Sequence, residues 1–182
     1  PKTAHLPLPP SAAAHLKVGL VWAGNPRHTN DKTRSIPFPL LSPLLSVPGV
    51  AFYSLQVGPA MRQMAESNAA KRICDLGPEL TDCARTASAI EQLDLVVSVD
   101  TAVAHLGGAL GKPVWLLLPF VTDWRWLLER EDSPWYPTLR LFRQKQPGDW
   151  TPVVGRVRGQ LAELSDRKGT PPAVRSHLPE RG

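Results

Sequence analysis

Six short apolar runs punctuate this chain, and stretches with helical spacing separate most of them. LKVGLVW (16–22), VAFYSL (50–55), ICDL (73–76), DLVVSV (94–99), PVWLLL (113–118) and TLRLFRQ (138–144) each read as a strand, the first closed by Gly and Pro. Between them, 59–72 predicts a helix opened by Pro59. Residues 81–93 predict another, capped by Thr81 or Asp82, with Ala84, Ala87, Ile90 and Leu93 on one face. Further helices are expected over 100–111, briefly over 123–131, and at 150–167. The prolines of PFPLLSPLLSVPG allow only a short helix. Strands alternating with helices imply a parallel sheet, so the expected class is α/β, a single Rossmann-like doubly wound domain. Its bounds are read as 16–165, after a Pro- and Ala-rich linker (1–15) and before a disordered tail (166–182).

Composition narrows the class further. A chain of 182 residues with 42% apolar content can bury one good core. Its apolar runs are too short to span a bilayer. Pro1 in place of a starting methionine suggests a piece of a longer protein. Cys74 and Cys83 have neither metal-ligand nor disulfide-framework spacing, so both are expected as buried, inert thiols in a reducing cytosol. The net charge of +5 gathers at the ends: residues 37–150 carry ten Lys and Arg against twelve acids. That body is not a nucleic-acid surface, and no aromatic-basic interleaving supports one.

Candidate chemistry centres on VVSVDTAVAHLGGALGKPVWLLLP (96–119). Here a buried strand turns directly into a helix, with Asp100, Thr101 and His105 at the seam. Open α/β sheets hold ligands at such strand ends. The unpaired first amides of the helix favour an anion, and Thr101 and His105, four apart, share a face. The residues also admit a plain reading, in which an N-cap precedes an apolar helix and a histidine packs by hydrogen bonding. GALGKP is not a phosphate-binding P-loop, and no G-x-G-x-x-G motif is present, which argues against a nicotinamide dinucleotide.

SVDTAVAHLGGALGKPVWLLLP resembles the donor-binding motif of glycosyltransferase family 9, the ADP-heptose:lipopolysaccharide heptosyltransferases. GLVWAGNPRHTNDKTRSIP and DWRWLLEREDSPWYPTLRLFRQ are closer still to bacterial tetratricopeptide-repeat proteins that end in a family 9-like domain. The likeness covers about residues 16–165. It implies the C-terminal half of a GT-B fold, binding a nucleotide-sugar donor as substrate with no cofactor or metal. Asp100, Thr101 and His105 would line the donor's diphosphate and sugar. Arg34, three before Pro37, falls where heptosyltransferases place a phosphate-contacting lysine. Ala102 stands where the motif has glycine, which alters or narrows the site.

The loop GNPRHTNDKTRS brings Arg27, His28, Lys32 and Arg34 to the same sheet edge, as a solvated loop or as a phosphate-binding one. Asn25 and Gln56, just past strand ends, are candidate contacts for ribose or base. Trp126 and Trp135 are expected to pack on the core, and the loop after Pro119 to close over base or sugar. Asp123 reads as a helix cap, and no carboxylate stands out as a general base.

The resulting expectation is the donor-binding domain of an inverting, metal-independent glycosyltransferase, cytoplasmic, at the inner face of the membrane. Its partners would be a missing N-terminal half that supplies the base, and tetratricopeptide repeats. This half alone would bind donor but transfer nothing, with Arg34, Thr101 and His105 stabilising the leaving group. Two alternatives stand beside it: a non-catalytic degenerate module on a repeat scaffold, and a GT-B nucleotide-sugar epimerase.

Overall fold

Strands form where the apolar runs stand: β1 (Leu16–Val21), β2 (Val50–Ser54), β3 (Ile73–Asp75), β4 (Leu95–Val99), β5 (Val114–Leu118) and β6 (Leu139–Arg143). The structure is a computed structural model and describes residues 5–9, 14–68 and 70–170. All neighbouring strands are parallel, in the order β3-β2-β1-β4-β5-β6. Between β1 and β4 the winding direction reverses. Connections from those two strands therefore leave toward opposite ends of the sheet and open a crevice at its carboxyl edge.

Alternation along the strands feeds two cores. Val18, Leu20, Val97 and Leu117 face one side, where α2 (Phe38–Leu41), the turn at Ser42–Ser46, α3 (Met61–Ala65) and α6 (Thr151–Gly169) cover them. Val21, Val96, Leu116 and Leu118 face the other, under α4 (Cys83–Glu91) and α5 (Ala102–Ala109). A sheet covered on both faces needs apolar residues at every strand position, which is why the runs are continuous. The remaining helix, α1 (Asp31–Arg34), is one turn in the loop after β1.

Several local expectations are corrected. The helix expected over 59–72 is broken into α3 and a 3-10 turn at Ala70–Arg72. Ser67 explains part of this, since its hydroxyl donates to the Met64 carbonyl (2.8 Å) at the end of the α3 turn. Over 123–131 only a 3-10 turn forms, Trp124–Trp126, ended by Leu127 at φ 50°. Asp82 rather than Thr81 caps α4, accepting from Arg85 N at 2.8 Å. Cys83 is exposed and Cys74 half-buried, so neither is the fully buried thiol expected.

The ends differ too. Residues 5–9, assigned to the linker, pack along the domain: Leu6 is buried, Gln92 Nε2 donates to its carbonyl at 2.6 Å, and the Pro9 carbonyl accepts from the Tyr53 hydroxyl at 2.8 Å. At the other end α6 runs through Gly169, beyond the expected boundary at 165. The rest of the expected tail, 171–182, lies outside the described residues, as do 1–4 and 10–13 of the linker. Among the described residues no helix is long and apolar enough to cross a membrane.

Asp94, just before β4, ties three elements together. Its carboxylate accepts from Lys17 N (2.7 Å) in β1 and from Lys168 Nζ (2.5 Å) in α6. Burial opposes its ionisation, but those hydrogen bonds and the two lysine charges outweigh burial and hold the carboxyl below its usual range. A depressed carboxyl contributes stability above its unfolded pKa of about 4 and loses it as pH falls toward the folded value. Asp94→Asn should therefore be less stable than the parent at pH 7, with the gap closing below about pH 4. Urea denaturation at both pH values measures it, and a gap independent of pH would refute this account.

Candidate functional site

A cleft of about 680 Å³ opens at the carboxyl edge, where the winding reverses. Loops after β1, β2, β4 and β5 wall it, and Asn25, Arg34, Gln56, Asp100, Thr101, Ala102 and His105 all line it. The structure thus brings together seven residues drawn from three separate sequence stretches. Of the other basic residues in the front loop, His28 also reaches the cleft, whereas Arg27 and Lys32 are not among its lining.

One wall belongs to Arg34. Its Nε donates to Asp31 Oδ1 at 3.5 Å, one helical turn back, leaving Nη1 and Nη2 without a partner among the described residues. Asp31 is itself placed by Ser35, whose hydroxyl donates to it (3.0 Å) and accepts from Gly24 N (3.0 Å). This network crowds Gly24. A Cβ there would lie 2.5 Å from Arg34 Nη2 and 2.6 Å from Asp31 Oδ1, so any side chain would displace the guanidinium. Arg34 is therefore a positioned cation with its forked tips free, the arrangement that suits phosphate oxygens.

The facing wall is the start of α5. Thr101 occupies the N-cap position in extended geometry but makes no side-chain cap bond. Its hydroxyl instead meets Ser98 Oγ at 3.1 Å. Since Ser98 donates to the Val99 carbonyl (2.7 Å), Thr101 is the donor in that pair and its lone pairs stay open. Ala102 and Val103, the first helical residues, line the cleft, and amides in a first turn have no carbonyl behind them. These amides and the helix dipole attract an anion.

His105 sits farther along the same wall. Its Nε2 is 3.7 Å from Asp100 Oδ1, and its Nδ1 meets the Tyr136 hydroxyl at 3.2 Å. The ring stacks on buried Trp126 at 5.2 Å between centroids and takes the Tyr136 ring edge-on at 5.8 Å. Tyr136 can come this close because α5 has Gly108, where a Cβ would fall 2.6 Å from the tyrosine ring. Asp123 caps the following turn as expected, accepting from Arg125 N at 3.0 Å. That backbone bond, opposed by slight burial and supported by the Arg125 guanidinium and the charge on His105, holds the Asp123 carboxyl below its usual range.

Gln56 plays a different part from the one its position suggests. Its side-chain oxygen accepts from Trp22 N (3.0 Å) and Ala23 N (2.9 Å). Its nitrogen donates to the carbonyls of Ala23 (3.0 Å) and Val57 (2.9 Å). With all four capacities spent and the residue buried, it has nothing left for ribose or base. It clamps the exits of β1 and β2 together. Trp126 is fully buried as expected, but Trp135 is 58% exposed, held by its indole N–H donating to the Arg125 carbonyl at 3.0 Å.

Gly24, Asp31 and Tyr136 were missed by reading the sequence. The i, i+3 spacing of Asp31 and Arg34 is a signal that could have found their pair. Nothing local marks Tyr136, which lies 31 residues from its partner His105. Among the described residues no three His, Cys, Asp or Glu side chains gather as a metal-binding group.

Gln56→Leu should destabilise the fold by about 2–3 kcal/mol or more, because buried amides of Trp22 and Ala23 lose their acceptor. Chemical denaturation measures this. An unchanged midpoint would show that the clamp is dispensable.

No protein-family model matches the chain. Protein FlbA of Caulobacter vibrioides is 33% identical over 156 residues, which are 82% of this chain and 25% of that protein. Among solved structures, the E. coli ADP-heptose lps heptosyltransferase II matches 88% of this chain and 49% of its own, with a TM-score of 0.60 at 16% identity. The E. coli heptosyltransferase WaaC with ADP matches 87% and 46%, with a TM-score of 0.52 at 16% identity. A family 9 glycosyl transferase from Veillonella parvula matches 87% and 47%, with a TM-score of 0.55 at 10% identity. The chain spans a quarter of the length of FlbA and about half of each of these structures. At such identities the likeness is one of fold: the single six-stranded parallel α/β sheet matches a GT-B-like glycosyltransferase domain.

Proposed function

We propose that this chain is the donor-binding domain of an inverting, metal-independent glycosyltransferase, and that the cleft takes a nucleotide-sugar. One observation carries the reading: the free fork of Arg34 and the uncapped start of α5 line a single cleft at the switch point. That pairing suits a diphosphate better than a neutral ligand.

In the proposed reaction an acceptor hydroxyl attacks the anomeric carbon, and the bond from that carbon to the diphosphate oxygen breaks with inversion. Negative charge then grows on the departing diphosphate. Arg34 and the first amides of α5 are placed to stabilise it, and because both are fixed beforehand they need no reorganisation as the charge develops. Thr101 joins them by turning its hydroxyl proton from Ser98 to phosphate. His105 brings its Nε2 to the same wall, beside Asp100. Asp100 itself repels phosphate and is better suited to accept from a ribose or sugar hydroxyl, as is the amide of Asn25. The base that activates the acceptor belongs, in this reading, to another part of a longer protein, with tetratricopeptide repeats as its scaffold. Two free thiols suit the cytoplasm.

Ala102 supports a second reading, a binding module without turnover, because its methyl lines the cleft beside the α5 amides. Donor binding with no acceptor-dependent transfer by the full-length protein would select that reading.

The decisive experiment is a thermal-shift panel of nucleoside diphosphates and nucleotide-sugars, read again on Arg34→Ala. A ligand at a hundredfold excess over its dissociation constant adds about 2.7 kcal/mol of stability. Arg34→Ala should weaken diphosphate binding by about 1.5–3 kcal/mol. No shift with any member of the panel would overturn the proposal.

His105→Ala should likewise reduce donor affinity while costing little stability, since its side chain is 38% exposed. Calorimetric titration beside chemical denaturation separates the two effects. Intact binding with a large loss of stability would make His105 a packing residue.

A further inference from the structure

Beyond His105 a smaller annex of about 250 Å³ adjoins the cleft, lined by His105, Trp124, Arg125, Trp135 and Tyr136. His105 and Arg125 line both cavities, so the annex adjoins the cleft. Its walls are unusual for a surface. Trp124 is 69% exposed and Trp135 58%, yet both belong to a segment held at several points.

The Trp135 indole N–H is tied to the Arg125 carbonyl, and the Arg125 guanidinium lies 5.0 Å over the Trp124 ring. Arg125 is held in turn by Asp123, its Nη1 donating to Oδ1 at 2.8 Å. From below, Arg143 donates to the Thr122 hydroxyl and the Trp126 carbonyl, tying a side chain on one side of Trp124 and the backbone on the other. Two indoles are thus presented to solvent without being free to collapse onto the core. Such preorganised aromatic area costs little entropy on binding.

Resting on the reading of the cleft given above, we propose that this annex is the sugar subsite, where the donor's sugar ring stacks on Trp124 and Trp135. Position argues for it. A diphosphate between Arg34 and the α5 amides has the annex on its His105 side, and the loop after β2 lies across the cleft to take the nucleoside. Size argues for it too, since the annex is smaller than the roughly 300–1,000 Å³ of sites that take drug-sized ligands, and so suits one ring. Chemistry completes the case. A sugar ring has a face of C–H bonds, which the electron-rich indole face attracts, and a rim of hydroxyls. Around that rim stand the Tyr136 hydroxyl, the Arg125 guanidinium and His105. A purely apolar ligand would leave those polar groups unused, and a nucleobase stacked there instead would show as weaker binding of the bare nucleotide in the Trp→Ala variants.

The test compares bare nucleotides with sugar-bearing ones on the full-length protein. ADP, GDP and UDP are titrated calorimetrically beside ADP-glucose, GDP-mannose, UDP-glucose and UDP-N-acetylglucosamine, on the parent, Trp124→Ala, Trp135→Ala and Trp135→Phe. At least one sugar-bearing donor should bind more tightly than its own nucleotide and quench tryptophan emission. Each Trp→Ala change should reduce that extra tightening by about threefold to tenfold, with affinity for the bare nucleotide unchanged and Trp135→Phe retaining most of the gain. If nucleotides bind but no sugar adds affinity, or if the gain survives both Trp→Ala changes, the annex proposal is overturned. The indoles would then cover another surface, such as a neighbouring segment of a longer protein, and the cleft reading would stand. If no nucleotide binds the parent, the cleft reading fails and takes the annex with it.

Discussion

One buried amide governs the carboxyl edge of this sheet. Gln56 follows β2, but its four hydrogen bonds run to the backbone of residues 22, 23 and 57. In a low-dielectric interior a fully satisfied amide is stiff, because every movement strands a donor or an acceptor. The exits of β1 and β2 are consequently held at one spacing. The Asn25–Arg34 loop departs from one exit and the Val57–Pro59 turn from the other, and both line the cleft. The cleft exists because the winding reverses beside β1, and it keeps its shape because Gln56 does not yield.

From that fixed edge the electrostatics follow. Arg34 is held by a single bond from Nε to Asp31, so its charge is placed while its tips remain available. The opposite wall supplies backbone dipoles rather than a second fixed cation. Farther along, Asp100 and Asp123 alternate with His105 and Arg125. The cleft is therefore cationic at one end and of mixed charge at the other.

Much of this was legible in advance, for a local reason. Strand runs buried on both faces are apolar at every position, so the sheet and its parallel class can be read from β1, β4 and β5 alone. The turn from β4 into α5 could also be read, because Asp100, Thr101 and His105 lie within six consecutive residues. Arg34 was legible from the residues only as one of four basic side chains in a loop that reads as solvated or phosphate-binding, and a likeness to other sequences singled it out.

What the sequence by itself determined were the six strands, their order along the chain, and which strand ends line the cleft. Tertiary structure alone decided which candidates are free to act. Gln56 looks like a ligand contact until the backbone of β1 is placed beside it, and Trp135 looks like core until Arg125 is seen to hold it outward. Likewise Tyr136 reaches His105 only because Gly108 lets its ring approach α5. The physical reason is common to all three. Secondary structure follows from neighbours in the chain, but the hydrogen-bonding capacity left to a side chain depends on partners far away in sequence that arrive only when the sheet closes.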